Sequence, residues 1–256
     1  MKILKYNILI FILFFLFIPL QTPAGDFKII PARIFLNEQK KTDIFRITSN
    51  PDEKTEISQS VEKSSFQVNA VKWTQDENGN DRYEVTEDIL FFPKIFTLEN
   101  GGEIMIRVGH KFQKPVISEK TYRLFIRELP VSDRRKETLR MTVNIGVPVF
   151  VAPAEEIRKI SVENISAENG KLLVKIRNSG NTHSFVNKIH ITGFDENNTQ
   201  VFSKTVDGWY VLPGVLKTFS VPFPAAECIR TKKIQTVAET DETEAVLNTD
   251  SVICTD

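Results

Sequence analysis

The sequence predicts an all-β protein made of two β-sandwiches. Three observations lead there. Short apolar–polar alternations recur between turn-prone clusters, no stretch keeps an apolar stripe of helical period over three turns, and the chain has two-domain length. The alternation is that of half-buried strands, which favours antiparallel sheets.

The elements can be justified in chain order. Lys2 and Lys5 give a positive start, Ile8 to Leu20 is an apolar run, and Thr22-Pro23-Ala24 is a small-residue cleavage site. Residues 1–24 therefore read as a cleaved secretory signal, with Gly25 the first mature residue. The alternative is an uncleaved anchor, but the run is short of the roughly 20 residues a membrane span needs. Of 256 residues, 232 remain, enough for two domains of about 100. Strand candidates follow: "RIFLN", "DIFRITSN", "IFTLE", "EIMIRV", "YRLFIREL", "KLLVKIRNSGN", "NKIHITGF" and "TFSVPF". "NPDEK", "DENGND", "ENGG", "SAENGK" and "DENN" separate them as turns. At "VAPAEEIRK", Pro148 and Pro153 interrupt the pattern and a mostly charged stretch follows, which predicts a stiff joint. Domain one is expected at 25–153 and domain two at 157–256.

Composition excludes several functions. Lys+Arg and Asp+Glu both number 33, so there is no formal net charge and no broad electrostatic case for nucleic acid. Cys228 and Cys254 are the only cysteines. In an exported chain they predict one disulfide, worth roughly 3–4 kcal/mol in the chain-entropy model. His110, His183 and His190 have no metal-ligand spacing, and no nucleophile elbow, zinc-protease helix motif, C-x-x-C or phosphate-cradling glycine loop occurs. No catalytic activity, metal or cofactor is expected. "DENGND" resembles a calcium loop, but Asp81 stands where a glycine is needed, so it reads as a hairpin turn. Phe185, Trp209 and Tyr210 read as core or domain-interface aromatics.

"LRMTVNIGVPVFV" (Leu139 to Val151) carries the functional question. Leu139, Met141, Val143, Ile145 and Val147 alternate with Arg140, Thr142 and Asn144, and no charge occurs from Met141 onward. An unpaired edge of this composition invites aggregation, so it is either ordinary core or a strand that another chain covers. The cluster Arg134, Arg135, Lys136 and Arg140 either keeps that edge from self-pairing or meets an acidic partner segment.

These residues also carry a resemblance. "RIFLNEQKKTDIFRITSN", "FPKIFTLENGGEIMIRV", "YRLFIRELP" and "VPVFVAP", then "NSGNTH" and "WYVLPG", look in order and spacing like the periplasmic pilus-assembly chaperones of the chaperone–usher pathway. The short "LPVSDRRKET" connection and the "VPVFVAP" ending resemble the archaic branch more than the branch that builds P and type 1 pili. The resemblance implies two immunoglobulin-like domains set in an L, no catalysis, a periplasmic location, pilin (fimbrial) subunits as partners and delivery to an outer-membrane usher. It also implies a donated edge strand in which Leu139, Met141, Val143, Ile145 and Val147 enter a pilin groove. Burying Leu139, Met141, Val143 and Ile145 gives roughly 6–12 kcal/mol before association costs, against about 1.5–3 kcal/mol for one charge-assisted hydrogen bond. The apolar row should then dominate affinity, while a cation fixes register.

In the family, a first-strand arginine and a basic residue late in the donor strand grip the pilin's terminal carboxylate. Arg33, in "PARIF", matches the first. The second position falls near Pro148, which cannot serve, and Arg123 on the neighbouring strand is the candidate replacement. The plainer alternatives are that Arg33 pairs with a local acid and that Arg123 is a surface residue. An unliganded donor edge also favours self-capping as a homodimer. The rival reading is an exported immunoglobulin-like structural or adhesive fimbrial subunit with the same strand as internal core.

Overall fold

The computed structural model of the protein describes residues 27–49, 63–111, 115–130, 142–241 and 243–249. The predicted signal (1–24), the cluster at 134–140, Leu139, Met141 and Cys254 lie outside them.

The described residues of the first half form ten strands: β1 (Phe27–Ile30), β2 (Ile34–Leu36), β3 (Thr42–Ser49), β4 (Lys63–Gln75), β5 (Asp81–Val85), β6 (Ile89–Phe92), β7 (Ile95–Glu99), β8 (Glu103–His110), β9 (Lys120–Glu128) and β10 (Asn144–Val151). The second half forms β11 (Ile160–Glu168), β12 (Lys171–Asn178), β13 (Ser184–Phe194), β14 (Gln200–Asp207), β15 (Tyr210–Val211), β16 (Leu216–Pro222), β17 (Lys233–Thr240) and β18 (Glu244–Thr249). One six-residue helix, α1 (Ala225–Arg230), precedes β17. Period-two alternation shows in the burial pattern of many of these strands: β3 buries Phe45 and Ile47 while Ile44 and Arg46 face out.

Domain one packs the sheet β1-β3-β8-β6 against the sheet β2-β10-β9-β4-β5, to which β7 adds through β4. Phe45, Ile47, Ile106 and Val108 from one sheet meet Phe66, Val68, Leu124, Ile126 and Val149 from the other. Domain two pairs β11-β12-β16 with β14-β13-β17-β18 around Leu172, Val174, Ile176, Ile189, Ile191 and Ala238. Burial of these apolar faces between layers is the main force that holds each sandwich.

The β4–β5 turn is a hairpin. Asp76 accepts hydrogen bonds from the N–H groups of Asn80 (2.9 Å) and Asn78 (3.0 Å) and from Arg82, and these bonds, that of Asn80 foremost, pull its pKa down to about 2. Gly79 turns the chain at φ +75° and also lets domain two approach: a Cβ there would lie 2.7 Å from the Cα of Lys217.

Candidate functional site: a one-sided edge strand beside a domain cleft

Strand β10 has two unlike halves. Along its whole length it pairs with β9, from Asn144 opposite Arg127 to Val151 opposite Lys120. On the other edge β2 covers only Val149 to Val151, in parallel, with Ile34 opposite Val149. Among the described residues no strand pairs with that edge from Asn144 to Pro148.

Hydrogen bonds at either end of the strand fix which groups face this open edge. The N–H of Glu128 donates to the carbonyl of Val143, and the N–H of Ala152 donates to the carbonyl of Leu36, both at 2.8 Å. Backbone groups alternate sides along a strand, so odd-numbered residues bond β9 and even-numbered ones face the open edge. The edge therefore offers the N–H and C=O of Asn144 and Gly146, and beyond them comes Pro148, which is buried. Proline supplies no N–H, so the ladder a partner could form stops there.

The side chains follow the same parity. Val147, Val149 and Val151 point between the sheets and are 2 %, 0 % and 0 % exposed. Val143 and Ile145 continue that row and are half-buried. Val147, predicted to enter a partner's groove, is buried in this chain. Its own sandwich closes over it, so the accessible apolar row ends at Ile145.

Both predicted anchor cations lie at the cleft between the domains, in different states. Arg33 stands one residue before β2, level with Pro148 at the end of the open edge. Its guanidinium lies over the rings of Phe185 (4.9 Å) and Tyr210 (5.6 Å) and its Nη1 donates to Asp241 at 2.9 Å. The acid it pairs with is not local: it comes from domain two, 208 residues away. Arg123 is only 9 % exposed, not a surface residue. Its guanidinium is caged by Trp73 (4.1 Å), Trp209 (5.3 Å) and Tyr83 (5.6 Å), with Asp81 at 3.8 Å. Asp81 in turn accepts from Gln75, Trp209 and Tyr83. Tyr210 stands between the two cations. Burial raises its pKa, while Arg33 and Arg123 both oppose that rise.

The two second-half motifs build the domain interface. Trp73, Phe150, Tyr210 and Leu212 form one buried cluster with Phe185 at its margin. Gln75 donates to the carbonyl of Tyr210 (2.9 Å) and accepts from the N–H of Leu212 (2.9 Å). In "NSGNTH", the Asn181 side chain donates to Ile117 and Glu155, and Asn178 braces the loop through Thr182 and Val211. The His183 ring stacks on Phe150 at 3.7 Å while Nδ1 lies 2.8 Å from Glu119. Lys217 donates to the carbonyl of Gly79, and burial lowers its pKa. Two histidines are elsewhere. His110 meets the Tyr122 hydroxyl, itself bonded to Asp88, between the sheets of domain one. His190 bridges Thr205 and Glu239 across strands. Sequence reasoning missed Asp241, Asp81 and Gln75, because their partners are distant in the chain and no local spacing marks them.

Comparison with known proteins decides the family. Residues 26–156 match the family model described as "Pili and flagellar-assembly chaperone, PapD N-terminal domain". The chain belongs to this chaperone family. Solved structures extend the likeness over both domains. A chain of the CsuC–CsuE chaperone–tip adhesion subunit complex, from archaic chaperone-usher Csu pili of Acinetobacter baumannii, is 15% identical, with TM-score 0.59 over 91% of this chain and 100% of that one. The Class 5 fimbriae chaperone CfaA is 18% identical, with TM-score 0.51 over 89% and 100%. The CupB2 chaperone of Pseudomonas aeruginosa is 12% identical, with TM-score 0.52 over 88% and 100%. At such identities the likeness is one of fold. No curated protein sequence matches the chain. The chaperone's two domains are the two sandwiches described above.

Proposed function

We propose that this chaperone works in the periplasm, after removal of residues 1–24, where it holds pilin subunits by adding the open edge of β10 to their incomplete sheets and passes them to an outer-membrane usher. We also propose that it belongs to the archaic branch, that its domains meet at 153–157, and that Cys228, buried and without a free thiol, pairs with Cys254. Chaperone–pilin pairing is itself a known case of recognition by strand addition. The observation that carries the reading is the one-sided pairing of β10. Asn144 and Gly146 present backbone donors and acceptors that no described strand pairs, beside a half-buried Val143 and Ile145, so a partner strand gains both ladder bonds and apolar contact. Leu139 and Met141 would extend the same row.

The geometry also supports Arg33 as the anchor and gives the added strand a direction. A strand laid on Asn144–Pro148 continues the slot that β2 occupies, and Arg33 stands at the junction. Running parallel to β10, as β2 does, it reaches Arg33 with its C-terminus, where a carboxylate meets the guanidinium. Arg123 acts from inside its cage as a fixed positive charge and a packing element of the cleft.

Joint substitution of Val143 and Ile145 by Asp tests the reading. The double variant should keep its far-ultraviolet spectrum and lose recovery of a co-expressed pilin. Undiminished recovery would sink the proposal.

A further inference from the structure

Asp241 occupies the position that the terminal carboxylate takes in the preceding reading, and the inference drawn from it rests on that reading. It lies in the turn between β17 and β18, held by its own N–H to the carbonyl of Phe185, and spans the cleft to Arg33. The pair is half-open to solvent, with side chains 36% and 41% exposed. Such a pair is worth roughly 0.2–1 kcal/mol, so a competing carboxylate can displace it. Arg33 keeps its place without the pair, because Phe185 and Tyr210 support its guanidinium face. Asp241 also has somewhere to go. Beside it lies a cavity of about 90 Å³, lined by Arg158, Lys159, His183 and Thr243. Arg158 is itself held by Glu156 at 2.5 Å.

We infer that Asp241 is a specificity-determining residue: its carboxylate holds Arg33 in the unliganded chaperone and is displaced by the terminus of a strand already seated on β10. A terminus tethered through backbone bonds meets Arg33 at an effective concentration on the order of millimolar or more, so it competes with Asp241 even where free carboxylates in solution are dilute. The weak internal pair therefore filters out untethered acids. It opposes a seated chain end only slightly.

The test uses the full mature chain, with acetate as the probe and acetamide as the neutral control. The arginine side-chain Nε–Hε resonances are followed by NMR in the wild type, Asp241→Asn and Asp241→Ser, with Arg33→Lys assigning the Arg33 signal. The acetate midpoint at Arg33 should fall about two- to fivefold in both Asp241 variants, the factor that corresponds to an exposed pair of that strength. Acetamide should leave the signal unmoved. An equal midpoint in all three proteins overturns the inference and leaves the anchor reading intact. No response of Arg33 to acetate in any of them removes the anchor reading, and the inference with it.

Discussion

The two halves of β10 share a sheet, a neighbouring strand and one apolar alternation, yet among the described residues only Val149 to Val151 is paired on both edges. The difference comes from where β2 ends. β2 runs for three residues, from Ile34, and the edge opposite Asn144 to Pro148 is left to whatever arrives. The covered half is part of the core of domain one, and the half that β2 leaves uncovered is the one proposed to bind. A chain can thus keep an adhesive strand in solution by making half of it indispensable to its own core, with a proline at the border to limit pairing.

The largest effects should separate the halves by what they break. Val149 is 0 % exposed. Val149→Asp places an unpaired carboxylate between the sheets and should cost roughly 3–5 kcal/mol in urea unfolding. Ile145→Asp, at the open mouth of the same row, should cost about 1 kcal/mol and act on pilin capture instead. Equal destabilisation by the two would mean that the row is one continuous core, and the comparison would fail.

The two arginines repeat this contrast at the cleft. Arg123→Ala empties a cage of two tryptophans and a tyrosine and leaves Asp81 without its cation, so a loss of roughly 2–4 kcal/mol is expected. Arg33→Ala removes only a half-exposed pair and should stay within about 1 kcal/mol of wild type while weakening recognition of a free carboxylate. Paired urea titrations of the two variants decide the point. If Arg33→Ala were the more damaging, Arg33 would be a structural staple and not an anchor.

Much of this division was legible in the sequence, and the remainder is long-range. Alternation located the strands because a half-buried strand must alternate. Residues such as Phe45 and Ile47 in "DIFRITSN", or Leu124 and Ile126 in "YRLFIREL", could only point inward together. The same alternation could not say where the core stops. Val147 and Ile145 look alike in "VNIGVPV", and only the meeting of β2 with Val149 distinguishes them. The cations were identifiable by type and context but their states were not. Arg123 alternates with Leu124 as a surface residue would, yet Trp209, brought from domain two, helps to seal it. Asp241 lies in an ordinary polar turn, "TDET", and acquires meaning only when the fold sets it against Arg33.

The smallest expected effect tests the border itself. Pro148 is the one residue of the open edge that withholds an N–H, and two copies of the chaperone meeting edge to edge would find their ladder interrupted there. Pro148→Ala restores the donor. One further net hydrogen bond is worth about 1 kcal/mol, so self-association through this edge should tighten roughly fivefold, read by sedimentation velocity over a concentration series. The monomer should lose about 1–2 kcal/mol, because alanine leaves the unfolded chain more conformational freedom and truncates a buried side chain. The sign of the first effect is the informative one. Tighter dimerisation would make β10 the self-capping surface and Pro148 its brake. Unchanged dimerisation with the same small loss of stability would confine the proline to backbone stiffness and put any self-association on another face.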